Sequence, residues 1–178
     1  MSPSLWLLGG DLTQANSLTE FQDKKPVSEQ KIAKNTESSP FGGHVHALAV
    51  NPLNNELFLG AHPLYHSRDG GKTWNATAIP KSKERANVTS IAIDTQNPQI
   101  MYATGHGLSV IKSVDGGKTW QVKAEGLSGD STEAIAIDVY DSNKLYLSVL
   151  GDGLYRSVDA GESWQRISDH PKNQEILL

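Results

Sequence analysis

Six side chains in this sequence have the chemistry to bind or react. His44 and His46 open an alternating apolar run. His62 lies in Gly60-Ala61-His62-Pro63 and His106 in Gly105-His106-Gly107, and Asp152 holds the matching place in Gly151-Asp152-Gly153. Glu133 stands where His46 stands two repeats earlier, with Thr89 between them. Imidazole and carboxylate are ligands for zinc or copper and the common general acid–base groups. Three chemistries follow. His44, His46, His62 and His106 could share a metal ion, the only cofactor the residues suggest. Glu133 and Asp152 could be the paired acids of a glycoside hydrolase, which work across a cleft of about 5–10 Å. Alternatively all six, His44, His46, His62, His106, Glu133 and Asp152, form a polar binding rim without chemistry, because histidines at loop mouths often bond only backbone groups. His66 and His170 read as ordinary surface residues.

These residues can converge only if the chain repeats, and it does. Ser67–Trp74 reads SRDGGKTW, Ser113–Trp120 reads SVDGGKTW and Ser157–Trp164 reads SVDAGESW, with Asp69, Asp115 and Asp159 spaced by 46 and then 44 residues. A fixed period names an architecture before local propensity does. The phrase is turn chemistry: the aspartate can accept backbone N–H groups just ahead of it, glycine supplies positive φ, and the serine or threonine hydroxyls bond within the same turn. Ser67, Asp69, Gly71 and Trp74, their counterparts Ser113, Asp115, Gly117 and Trp120, and Ser157, Asp159, Gly161 and Trp164 are therefore structural. Each tryptophan is a large ring to bury beyond the turn.

Around each phrase the pattern predicts four short strands. In the first unit they are 44–50, 56–60, 64–67 and 74–79, stopped by Pro80. In the second, Val88–Asp94, 100–103, Leu108–Ser113 and Trp120–Ala124 follow the same plan. In the third they are Glu133–Asp138, Lys144–Val149, Leu154–Ser157 and Trp164–Ile167. Leu48, Ile91 and Ile135 correspond, as do Val50, Ile93 and Ile137, with Ala49, Ala92 and Ala136 on the opposite face. Four strands repeated near 45 residues describe an all-β fold, a partial β-propeller of three blades at about 44–86, 87–131 and 132–178.

The phrase resembles the Asp-box, or BNR repeat, Ser-x-Asp-x-Gly-x-Thr-Trp. The first two copies match at every fixed position and the third has Ser163 for threonine. Propellers built on this repeat include sialidases, xyloglucan-degrading hydrolases, sortilin-type receptors and photosystem II assembly factors. The resemblance covers residues 44–178 and concerns the repeat, not one activity. It puts the box turns on the outer rim, away from catalysis. A sialidase would need an Arg-Ile-Pro motif and three arginines around a carboxylate, and the chain has only Arg68, Arg85, Arg156 and Arg166. His44-Val45-His46-Ala47-Leu48 and the Gly-Ala-His-Pro loop look like bacterial Asp-box proteins labelled glycosyl hydrolase by homology. The reading that results is a non-catalytic binding or scaffold module for a protein or glycan. A sialidase-like glycoside hydrolase fragment and a histidine-rim metal binder are the alternatives.

Composition narrows the rest. The 178 residues suffice for one medium domain, and a net charge of −4 without a basic cluster argues against nucleic acid. With no cysteine there are no disulfides, thiolate metal sites or cysteine nucleophiles. No apolar run approaches the roughly 20 residues of a spanning helix. Residues 1–40 are polar enough to read as a disordered leader or linker, with a transient helix near Ser28–Lys34. The stretch Leu5-Trp6-Leu7-Leu8-Gly9-Gly10 reads either as a signal remnant or as part of that leader. On the former, the expectation is a soluble, exported bacterial protein, periplasmic or extracellular. Asn75-Ala76-Thr77 and Asn87-Val88-Thr89 fit a glycosylation pattern by chance. Closed propellers use about 4–8 blades. Three blades therefore imply either a fragment of a 6–8-bladed wheel, the favoured reading, or self-association through open blade edges.

Overall fold

The computed structural model describes Phe41 and residues 44–169. The leader expected over residues 1–40, the short helix within it, His170 and the strand-like run at Gln174–Leu178 lie outside the described residues. There are three four-stranded antiparallel sheets, each a meander in chain order. The first holds β1 (Ala47–Val50), β2 (Leu57–Gly60), β3 (Leu64–Ser67) and β4 (Asn75–Ala76). The second holds β5 (Asn87–Ile93), β6 (Met101–His106), β7 (Ser109–Ser113) and β8 (Gln121–Val122). The third holds β9 (Thr132–Ile137), β10 (Leu145–Val149), β11 (Gly153–Ser157) and β12 (Gln165–Ser168). These are the expected blades. Among the described residues the only helical turn is a 3-10 turn at Lys81–Lys83, and no helix is long and apolar enough to cross a membrane.

Two expected extents change. The fourth strands shrink from 74–79 to Asn75–Ala76 and from Trp120–Ala124 to Gln121–Val122. They pair on one side only and lie exposed, so little holds them beyond two residues. The first strand starts at Ala47 instead of His44, although the His46 N–H still donates to Gly60 O at 2.9 Å.

Each sheet has two apolar faces, and the register explains the parity seen in the sequence. Ala49 pairs with Phe58, Ala92 with Tyr102 and Ala136 with Tyr146, so a small residue sits beside an aromatic ring on the forward face of every blade. On the backward face stand Ile91 and Ile93, or Ile135 and Ile137. Two core layers result. Phe58 and Leu64 of the first blade pack on Val88, Met101, Ala103 and Ile111 of the second. Tyr102 and Val110 of the second pack on Ile135, Leu145, Leu147 and Tyr155 of the third.

The joints are close at one point. A Cβ built on Gly117 would lie 2.5 Å from Phe58 Cε1, and one on Gly161 would lie 2.9 Å from Tyr102 Cε1. The box glycine of one blade is thus a socket for the aromatic ring of the blade before it. Its φ, +86° at Gly117 and +81° at Gly161, is also one that side-chain-bearing residues avoid. Polar groups cross the joints as well: the Val88 N–H donates to Ala61 O at 2.9 Å, and Asn51 Nδ2 to Pro98 O at 3.1 Å.

Candidate functional site

The three box turns are built alike. In the first, Ser67 Oγ donates to Asp69 Oδ1 at 2.8 Å and accepts the Gly71 N–H at 2.9 Å. Thr73 donates its N–H to Asp69 Oδ1 at 2.9 Å and its hydroxyl to Oδ2 at 2.6 Å. Asp115 repeats this with Ser113 and Thr119, and Asp159 with Ser157 and Ser163, so serine replaces threonine without loss of the bond. Trp74 and Trp120 donate their indole N–H to Gly71 O and Gly117 O, each at 3.0 Å. Trp164 instead donates to Lys123 O of the preceding blade, where the Trp164 N–H also reaches Glu125 O.

These donors act on the carboxyl groups. Asp69 is held at about 2, chiefly by the Thr73 hydroxyl and N–H, and Asp159 at about 2, chiefly by the Ser163 and Ser157 hydroxyls. For Asp115 burial pushes upward, yet the Thr119 and Ser113 donors outweigh it and leave the group at about 2. Each folded value lies below the ordinary 3.8, so the folded state binds fewer protons than the unfolded one. The stability these groups contribute is present above that ordinary value and is lost as pH falls through the folded value. The thermal midpoint should therefore be flat near neutrality and drop between about pH 4 and about pH 2. A midpoint unchanged down to about pH 2 would contradict this linkage.

The mouth of the blades carries the other candidates. His44 and His46 stack, ring centroids 6.2 Å apart. His46 Nε2 bonds Asn87 Nδ2 at 3.2 Å, and Asn87 pairs in register with His106. His106 Nε2 lies 2.7 Å from Glu133 Oε1. Four expected rim residues, His44, His46, His106 and Glu133, thus fall in one row that crosses all three blades, with Asn87 as the link. The bulges explain this aim. The register shifts between Val88 and Ser90 and between Leu147 and Val149, where Glu133 and Ala134 together face one residue. Such a bulge turns a side chain out of the sheet, and Glu133 meets the hairpin of the blade before it.

Two expected members stand elsewhere. Asp152 accepts from the Ser128 and Tyr155 hydroxyls, and Arg166 Nη2 lies 3.2 Å from its Oδ1. The Ser128 and Tyr155 donors, with help from Arg166, hold its carboxyl below the usual range. His62 is exposed, and its carbonyl accepts the Tyr65 hydroxyl at 3.2 Å. Among the described residues no group of three or more His, Asp or Glu is placed to hold a metal ion. His66 corrects an expectation: it is half-buried, with Nδ1 3.2 Å from Thr77 Oγ1 and its ring 6.4 Å from that of Phe58. It stands on the forward face of its sheet, opposite Phe58 in the register, and so belongs to the joint and not to open surface.

Sequence reading missed Asn87 and Lys83. Lys83 Nζ donates to Gly107 O at 2.9 Å and lies 3.6 Å from Asp130 Oδ2, which ties the His106 hairpin to the loop that leads into the third blade. A signal for Asn87 existed, since it occupies the place of His44 one repeat later. Lys83 had none, because the 3-10 turn that carries it has no counterpart in the other repeats.

No curated protein matches the chain. Among solved structures, an ancestral GH74 enzyme matches at 24% identity and a TM-score of 0.60, over 74% of this chain and 19% of that one. The GH74 enzyme of Niastella koreensis matches at 22% and 0.58, over 75% and 23%. YCF48 bound to D1 peptide matches at 20% and 0.55, over 68% and 39%. The chain therefore spans well under half the length of each, and at these identities the likeness establishes the fold alone. A family model covers more specific ground, matching residues 47–172 under the description photosynthesis system II assembly factor YCF48. On that match across all three blades, the chain belongs to the YCF48 family of Asp-box propeller proteins.

Proposed function

We propose that the chain is a non-catalytic binding module that takes an extended segment of a partner protein across the row His44, His46, Asn87, His106 and Glu133. The observation that carries this reading is the row itself. It runs over three consecutive blades, combines imidazoles, a carboxamide and a carboxylate, and leaves the His106 and Glu133 side chains open to solvent. Such groups can pair with peptide N–H and C=O groups and with charged side chains. A family relative solved with a D1 peptide supports a protein partner over a glycan. Hydrolysis would need Glu133 and Asp152 to face one bond. Here they engage different partners, His106 for one and Ser128, Tyr155 and Arg166 for the other.

Fluorescence anisotropy with a labelled D1 peptide tests the proposal. The double change His46→Ala with His106→Ala should weaken binding about tenfold or more, the scale expected when two hydrogen bonds to the partner are lost. His62→Ala, outside the row, should leave affinity near that of the unaltered chain. Wild-type affinity in the double variant would discard the row, and absence of binding by the unaltered chain would discard the partner class.

A further inference from the structure

Two threonine hydroxyls cross the joint between the second and third blades in opposite directions. Thr132 opens β9 and is fully buried. Its Oγ1 accepts the Gly105 N–H at 3.0 Å and donates to Ser109 O at 2.8 Å, with Gly105 O at 3.2 Å as a second acceptor. Gly105 and Ser109 face each other in the register, at the two ends of the turn that carries His106. One hydroxyl of the third blade therefore holds both ends of that hairpin. Thr89, the residue bulged out of β5, donates the other way, to Glu133 O at 2.7 Å. His106 follows Gly105 in the chain, and Glu133 follows Thr132. The clasp thus fixes the backbone on both sides of the 2.7 Å contact between His106 Nε2 and Glu133 Oε1.

The joint between the first and second blades supplies a contrast. Val88 holds the place of Thr132 one repeat earlier, since each stands just before its strand's bulge, opposite Gly105 and Val149 respectively. Valine has no hydroxyl to offer the hairpin of the first blade. What crosses there is its backbone N–H, to Ala61 O at 2.9 Å. The histidine of that hairpin, His62, lies outside the row. The exposed His106–Glu133 contact is by itself a weak constraint, because an ion pair in water must also hold two side chains in one geometry. The Thr132 hydroxyl is a stronger one, because losing it strands the buried Gly105 N–H. We propose that Thr132 is a positioning residue for the binding row. Its hydroxyl, with that of Thr89, presets the His106–Glu133 pair, so that a partner segment meets it already ordered. The consequence for affinity rests on the binding reading above, whereas the preset geometry is a property of the free chain.

Imidazole nitrogen NMR spectra of the free full chain, with a titration of labelled D1 peptide beside them, test this. Glu133→Gln marks where the His106 signal goes when the pair is broken. Thr132→Val, equal in shape but without the hydroxyl, should move that signal most of the way there while those of His62 and His66 stay in place. It should also weaken peptide binding about three- to tenfold. Thr132→Ser should restore both. A threonine that only stabilised the fold would lower the thermal midpoint without moving His106. A folded Thr132→Val chain with His106 at the wild-type position would overturn the proposal, as would Thr132→Ser behaving like Thr132→Val. If Thr132→Val does not fold, Thr89→Val reads the same pair from the half-buried side of the clasp, and an unmoved His106 signal there is equally fatal. His106 displaced by Thr132→Val in a chain that binds no peptide would support the clasp and discard the row as a binding surface.

Discussion

Gly117→Val is expected to destabilise the protein by about 3–4 kcal/mol, read as a shift of the urea midpoint at constant slope. Two penalties add. The backbone at Gly117 has φ +86°, a conformation costing a β-branched residue roughly 1–2 kcal/mol. The new Cβ would also stand 2.5 Å from Phe58 Cε1 and 2.7 Å from Cζ, where no Cβ can remain. Phe58 has no free direction, since it is fully buried between two sheets. Gly71→Val separates the terms. Its φ is +87°, but the nearest atoms are 3.5 Å and 3.6 Å from the new Cβ, so only the backbone penalty of about 1–2 kcal/mol should appear. Adding Phe58→Leu to Gly117→Val should recover part of the loss by making room. Equal losses at Gly71 and Gly117 would mean that the ring-in-socket contact is energetically idle.

Ser113→Ala should lose about 2–3 kcal/mol, a large effect for one oxygen atom. The Ser113 hydroxyl donates to Asp115 Oδ1 at 2.8 Å and accepts the Gly117 N–H at 2.8 Å and the Asp115 N–H at 3.3 Å. Both Ser113 and Gly117 are buried, so the alanine variant strands a backbone N–H that no water reaches. Ser67→Ala removes the bonds to Asp69 Oδ1 and the Gly71 N–H from the first box, where Ser67 is equally buried but Gly71 is half-exposed and water can reach its N–H. Its loss should be about half as large. Thermal or urea unfolding of the two variants in parallel decides the matter. An equal cost would show that the bonds matter only within the turn and that burial in the joint adds nothing.

Much of this architecture was legible from residue order. The box spacing named the blades, and Leu48/Ile91/Ile135 with Ala49/Ala92/Ala136 named the two faces, because strand alternation and turn chemistry are local properties. The row proposed for binding was legible in part. His44, His46, His106 and Glu133 were marked by type and by repeat position, and they do lie in one row. Asp152 shared the position of His106 but not its direction. A carboxylate beside Ser128, Tyr155 and Arg166 turns to those donors, and Ser128 and Arg166 sit outside the repeat pattern. His66 looked like surface because the face it shares with Phe58 is assigned only when the next blade packs on it.

By itself the sequence determined the hairpin corners, since serine, aspartate and glycine satisfy one another over a few residues and need no distant partner. The same repetition determined which blade positions are apolar. Only the tertiary structure decided that Asn87 joins His46 to the His106–Glu133 pair and that Gly117 and Gly161 receive rings from the blade before. Those outcomes depend on how one sheet is set against the next. Bulges and side-chain volumes fix that relation across more than 40 residues of chain, a separation at which spacing in the sequence carries no direction.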